Sequence, residues 1–149
     1  MSSRGERVTW PVAAIVVVGA AVVLVGGLVS WFHPAQLLPA GTPVTGGVRL
    51  YGVRMAARAL PLGLALLALL ALRARRMLAA LLILVAAIEA GDCVAALANR
   101  DWAELAGAVV VAVAFLWAAT RLVDAPLWAA RAWREPATPP TASWPGSRE

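Results

Sequence analysis

Four long apolar segments divide the chain, and they constrain its fold more than any other feature. They cover about residues 11–32, 47–72, 77–98 and 102–123. A helix needs about 20 apolar residues to cross the roughly 30 Å hydrocarbon core of a bilayer, and each segment has this length. The composition agrees, with 62% hydrophobic residues, 14% charged residues and a mean hydropathy of +0.80. The sequence therefore predicts an all-α integral membrane protein built as a bundle of four transmembrane helices.

Two alternatives to four membrane helices are disfavoured. The run Val16, Val17 and Val18 has β propensity, but a membrane barrel needs segments of about ten residues with alternating polarity, and these segments are continuously apolar. The first segment is also too long for the apolar part of a signal peptide, and no Ala-x-Ala-like cleavage site follows it. Helices that stay in the mature protein are therefore expected.

The placement of arginines predicts the orientation. Arginines precede the first segment, fill the link between the second and third, and follow the fourth: Arg4, Arg7, Arg73, Arg75, Arg76, Arg121, Arg131 and Arg134. The link 33–46 has no Lys or Arg. By the positive-inside rule, both termini and the 73–76 turn are cytoplasmic in a multi-pass protein of the cell membrane. With Arg148 of the tail, that side has nine arginines against four acids, which equals the net charge of +5, so no nucleic-acid partner is needed to explain it.

The rest of the chain is short. It predicts three regions around a membrane domain of residues 11–123, namely a cytoplasmic N-terminus (1–10), an interfacial amphipathic segment (124–135) and a disordered tail (136–149). In the interfacial segment, Trp128 and Trp133 suit the headgroup region and the neighbouring arginines suit anionic lipid. The tail is rich in Pro, Ser and Thr, a composition that does not form a core.

Ionisable side chains inside the second and third segments are the strongest functional signal. Arg54 and Arg58 lie in the second segment, and Glu89 and Asp92 lie in the third. A charge near the centre of a membrane helix costs about 2.5–3.5 kcal/mol on insertion scales, so such residues usually face one another or a wet cavity. The sequence therefore predicts a buried site of arginine and carboxylate side chains.

The predicted topology brings the opposite charges to similar depths. At 1.5 Å per residue, Arg54 lies about 12 Å and Arg58 about 18 Å from the outer end of the second helix. Asp92 lies about 9 Å and Glu89 about 13 Å from the outer end of the third helix. A short turn joins these two helices, so they are expected to be antiparallel neighbours whose charged faces can meet.

Two further side chains belong to the predicted site. Tyr51 falls in the same sector of the second helix as the two arginines, and Glu104 lies near the outer start of the fourth helix, at the entrance. Arg49 points elsewhere and is expected at the membrane interface. The charges could serve only to fix the register of the helices. Apolar residues would pack the same interface without a desolvation penalty, however, which favours a ligand, proton or catalytic role.

Several other chemistries are excluded by counting. The single cysteine, Cys93, cannot form a CxxC redox pair or a cysteine zinc site. The single histidine, His33, cannot supply two axial ligands to haem. No phosphate-binding glycine motif is present, so nucleotide chemistry is unsupported. No cofactor or metal is predicted. Pro61 is expected to loosen or kink the second helix beyond Arg58.

Small residues recur at four-residue spacing on the third and fourth helices: Ala87, Gly91, Ala95, Ala103 and Gly107. Such spacing allows helices to approach closely, either within one molecule or between molecules. A homo-oligomer or a partner in a membrane complex is therefore among the expected interactions.

The run GVRLYGVRMAARALPLG over residues 47–63, followed by the EAGD of residues 89–92, resembles the DoxX-like group of small four-helix bacterial membrane proteins and their uncharacterised relatives. Gly52, Arg54 and Gly63 are similar to the pattern of that group in its second helix, and Asp92 is similar to its late acidic residue in the third. Arg58 and Glu89 are not secure parts of that pattern. The resemblance covers about residues 10–123 and implies a quinone or lipid partner.

Two functions from different classes remain open. The first is a non-enzymatic membrane protein that binds a lipid, a quinone or a membrane partner. The second is a small intramembrane enzyme acting on an isoprenoid, polyketide or epoxide. In that enzyme, Glu89 or Asp92 would be the general acid or base, and Arg54 or Arg58 would hold an oxyanion or phosphate.

Overall fold

Four long α-helices make up most of the chain. The computed structural model describes residues 8–38, 41–123, 126–129 and 133. The helices, in chain order, are α1 (Trp10–Phe32), α2 (Gly46–Ala71), α3 (Arg75–Asn99) and α4 (Trp102–Leu122). Each is long and apolar enough to cross a membrane. The four predicted helices are confirmed, and each observed boundary lies within two residues of the predicted one.

The regions outside the four helices are described only in part. The predicted tail, residues 136–149, and residues 1–7 of the predicted N-terminus lie outside the described residues. Within the predicted interfacial segment, residues 126–129 form a turn in which the Ala129 amide donates to the Pro126 carbonyl over 2.8 Å. The rest of that segment, except Trp133, is also outside the described residues.

Local signals set the helix ends. The Thr45 hydroxyl accepts a hydrogen bond of 3.4 Å from the Val48 amide at the start of α2, and the Asp101 carboxylate accepts one of 3.0 Å from the Glu104 amide at the start of α4. These side chains satisfy amides that have no partner within the helix. The turns after α2 and α3 use Arg73 and Arg100 in the left-handed region, with φ of 54° and 58°.

The helices pack as two hairpins. α1 and α2 contact each other along most of their length and form the first hairpin, and α3 and α4 form the second. Contacts between the hairpins, through α1 with α4 and α2 with α3, are sparse. The expectation that α2 and α3 are neighbours therefore holds only near the turn that joins them.

Glycines bring α1 and α2 close together. A Cβ on Gly27 would lie 3.0 Å from the Cβ of Ala59, and a Cβ on Gly63 would lie 2.6 Å from the Cγ of Leu24. A Cβ on Gly52 would overlap the carbonyl oxygen of Ser30. Because glycine has no side chain, the two backbones can approach at these positions, which maximises van der Waals contact.

The two hairpins meet through a core at one end of the molecule. It takes residues from the start of α1 and α3 and from the end of α2 and α4: Val12, Val16, Ala20, Leu66, Leu78, Ala79, Leu82, Val85, Ala86, Phe115, Ala118, Ala119 and Leu122. The ring of Phe115 lies against the backbone of Gly19, where a Cβ would overlap it. We call this the closed end.

The opposite half of the molecule is more open between the hairpins. Gly26 lies seven residues after Gly19, on nearly the same side of α1, but a Cβ there would meet nothing within 4 Å. The core includes no described residue of α2 before Leu62 and none of α3 after Ala86. We call this half the open end.

Candidate functional site

The predicted arginines lie on the side of α2 that faces the second hairpin. Leu62 and Leu69 pack against the shared core, and Met55 in the same row is half-buried. Arg58 lies between Met55 and Leu62 in this row, since residues three and four apart share a helix face. Arg54 lies one turn nearer the open end. Both arginines are exposed because the second hairpin does not cover this part of α2.

The predicted carboxylates lie on the inner face of α3. Leu82 and Val85 are buried in the core, and Ala96 is buried further along the same face. Glu89 and Asp92 lie between them at helical spacing, and both are half-buried. Glu89 and Asp92 therefore continue the core side of α3, and Arg58 continues the core side of α2, in the half of the molecule where the core is absent.

The opposite charges do not touch. The Nη2 of Arg58 donates to the Sδ of Met55 over 3.1 Å, within its own helix. Across residues 8–38 and 41–123, no ion pair within 4.0 Å joins Arg54 or Arg58 to Glu89 or Asp92. The predicted ion pairs are absent among these residues, because α2 and α3 make few contacts.

The two outlying members of the predicted site are also exposed. Tyr51 is 64% exposed on α2, one turn beyond Arg54. Glu104 lies in the first turn of α4, in a row with the buried Ala108 and Phe115, and its side chain is exposed at the open end. Its role at the entrance of the predicted site stays a prediction.

The small-residue rows of the second hairpin face away from the first. Their members, Ala87, Gly91, Ala95, Ala103 and Gly107, are all exposed. A Cβ on Gly91 or Gly107 would meet nothing within 4 Å. These rows were expected to allow close helix packing either within one molecule or between molecules. Within this molecule they do not mediate it.

Three further features of the site concern Pro61, Cys93 and possible metal ligands. α2 continues through Pro61 without a break, and Cys93 is a half-buried free thiol beside Asp92. Among the described residues, no group of three or more His, Cys, Asp and Glu side chains could hold a metal ion. The candidate site therefore consists of arginine, carboxylate and apolar side chains.

The hairpins differ in charge. No Asp or Glu occurs between Glu6 and Glu89, so α1, α2 and the link between them carry cations alone. The carboxylates of the described chain lie in the second hairpin and its connecting turn: Glu89, Asp92, Asp101 and Glu104. An anion beside an arginine of the first hairpin must therefore come from the second hairpin or from outside the described chain.

A groove at the α1–α2 connection was not expected from the sequence. It has a volume of about 580 Å³ and includes His33, Gln36 and Arg49 in its lining. The signal that could have indicated it is the absence of acids near Arg49, which leaves this arginine without a counter-ion in its own hairpin.

The chain was also compared with known proteins. No family model, curated protein or solved structure matches it. The resemblance to the DoxX-like group accordingly stays a prediction.

Proposed function

We propose that this chain is an integral membrane protein that binds a lipophilic ligand with one polar end between its two hairpins. The four long apolar helices support membrane insertion. The arginine distribution supports cytoplasmic termini, with the open end directed toward the outer side. A lipid or a quinone has the required chemistry, because its apolar part suits the exposed apolar surface and its polar end suits the charges.

The observation that carries this proposal is the unpaired charge on both sides of the open half. Arg54 and Arg58 have no carboxylate within 4.0 Å, although Glu89 and Asp92 lie on the facing helix. Unpaired charges in an apolar medium are costly, so either the hairpins close or a polar group enters between them. A ligand whose polar end reaches the arginines satisfies them without closure.

A photoreactive fatty acid tests the proposal. Its carboxylate is the polar end, and a diazirine on its chain labels the side chains nearby. Labelled peptides are expected from the facing parts of α2 and α3, near Arg58 and Glu89. Replacing Arg58 by Gln removes a charge-assisted hydrogen bond, so labelling there should fall by about tenfold, which corresponds to about 1.4 kcal/mol.

Arg49→Gln is the matched control, because it makes the same change on the opposite face of α2. It should leave labelling between the hairpins unchanged. An excess of a short-chain quinone should compete with the probe if a quinone is the natural ligand, whereas no competition would favour a lipid. Uniform labelling of the exposed faces of all four helices, unaffected by Arg58→Gln, would refute the proposal.

The catalytic alternative uses the same side chains in different roles. It is favoured by one observation, the half-buried and unpaired state of Glu89 and Asp92. There, Glu89→Gln or Asp92→Asn should abolish turnover at an unchanged melting temperature, because the amide keeps the shape but not the acid–base capacity. In a binding protein the two variants should affect ligand affinity alone.

Reporter fusions test the orientation. A reporter that is active only in the cytoplasm should be active after Glu149 and inactive after Pro39, because the arginine-free link 33–46 is proposed to lie outside. A periplasmic reporter should give the reverse pattern. The same side for both sites would overturn the proposed topology.

A further inference from the structure

The groove at the α1–α2 connection has features that the proposed ligand site does not use. It lies where α1 ends, between the 3-10 turn Pro34–Leu37 and the start of α2. Its polar lining comes from His33, Gln36 and Arg49, and its apolar lining includes Trp31 and Val53. It is an open groove of about 580 Å³, so a ligand there would stay partly exposed.

The groove is separate from the charges between the hairpins. Arg49 and Arg58 are nine residues apart, which places them about 180° apart around α2. The second hairpin, which carries Glu89 and Asp92, meets α2 on the side of Leu62 and Leu69, the row that contains Arg58. Arg49 has no ion pair with any residue in the described part of the chain, and its own hairpin holds no carboxylate. The positive charge of Arg49 therefore requires an anion that the described chain does not supply.

An apolar path leads away from this charge. Val53 lies one turn beyond Arg49 on nearly the same side of α2 and is 40% exposed, and Leu64 continues the row with 60% exposure. From Arg49 to Leu64 the row extends about 22 Å along the helix. An anionic head at Arg49 with an apolar chain along this row has the shape and polarity of a phospholipid.

We propose that the groove binds the phosphate of an anionic phospholipid. Arg49 forms a bidentate pair with the phosphate oxygens, His33 and Gln36 supply further donors, and one acyl chain lies along Val53 and Leu64. Trp31 borders the headgroup, at the level where Trp side chains prefer to lie. This site rests on the proposed membrane insertion but not on the proposed ligand between the hairpins.

Binding of dioleoylphosphatidylglycerol to delipidated protein, counted by native mass spectrometry, tests this site. The wild type should bind this lipid with a clear preference over dioleoylphosphatidylcholine, which has the same chains and no net charge. Arg49→Gln should weaken the affinity by about tenfold, as expected for the loss of one charge-assisted pair. Arg121→Gln, which removes the same charge from an exposed position at the closed end of α4, should alter it by less than about twofold.

Three results would contradict the proposed phospholipid site. Equal binding of both lipids, or loss of binding in Arg58→Gln but not in Arg49→Gln, would remove the basis for an anion at this groove. Displacement of the lipid by inorganic phosphate, with phosphate alone giving the same thermal stabilisation, would identify a soluble phosphate as the occupant. Fatty-acid labelling between the hairpins is measured separately on the same variants, so failure of one site is distinguishable from failure of the other.

Discussion

Replacing Phe115 by Ala should lower the free energy of unfolding by about 3–5 kcal/mol, the range observed for this truncation in packed cores. Phe115 is 1% exposed and belongs to the core that joins the hairpins at the closed end. Its ring lies against the backbone of Gly19 on α1. The change removes ring contacts between the hairpins and leaves a cavity that Gly19 cannot fill.

The second phenylalanine of the chain is a matched control. Phe32 is 67% exposed at the end of α1, so Phe32→Ala removes the same atoms without opening a cavity. Thermal unfolding of both variants in one detergent should show a large loss for Phe115→Ala and little change for Phe32→Ala. Equal melting temperatures for the two variants would mean that the closed end does not hold the hairpins together.

Gly52→Ala should destabilise the first hairpin by about 1–3 kcal/mol, because the added methyl group overpacks a close contact. A Cβ at this position overlaps the carbonyl oxygen of Ser30, which belongs to the backbone of α1 and cannot rotate away. The helices must therefore move apart. At Gly63 the nearest atoms belong to the Leu24 side chain, which can change its rotamer, so Gly63→Ala should cost less.

Gly26→Ala is the control for Gly52→Ala. It makes the same change in a long helix, but the added methyl group meets nothing within 4 Å. Alanine has the higher helix propensity, so the variant should be as stable as the wild type or slightly more stable. If both variants melt at the same temperature, α1 and α2 do not approach as closely at Gly52 as described.

The positions of the helices follow from the sequence because hydropathy acts locally. Each segment is a predominantly apolar run bounded by Pro, Gly or charged residues, so its ends can be predicted without knowing which helices it packs against. The faces of the site follow as well. Arg54 and Arg58 share a side of α2, and Glu89 and Asp92 share a side of α3, because helical spacing is the same in every fold.

How the helices pair does not follow from the sequence in the same way. Gly52 and Gly91 are both glycines in apolar helices, yet Gly52 lies against the backbone of α1 and Gly91 meets nothing within 4 Å. A glycine row shows that close approach is possible but does not identify the partner helix. The separation of Arg58 from Asp92 depends on which helices pack together. The depth of each residue and its helix face could not predict that choice.

The division into two hairpins also affects the order of events during synthesis. α1 makes most of its contacts with α2, and α3 makes most of its contacts with α4. The main partner of α1 is therefore present as soon as α2 is complete. The first hairpin can then pack before α3 leaves the ribosome, in keeping with the early folding of N-terminal units. The contact between Phe115 and Gly19 at the closed end joins residues far apart in the chain. It can form only after α4 is complete. We therefore expect the association of the two hairpins to be the last step of folding.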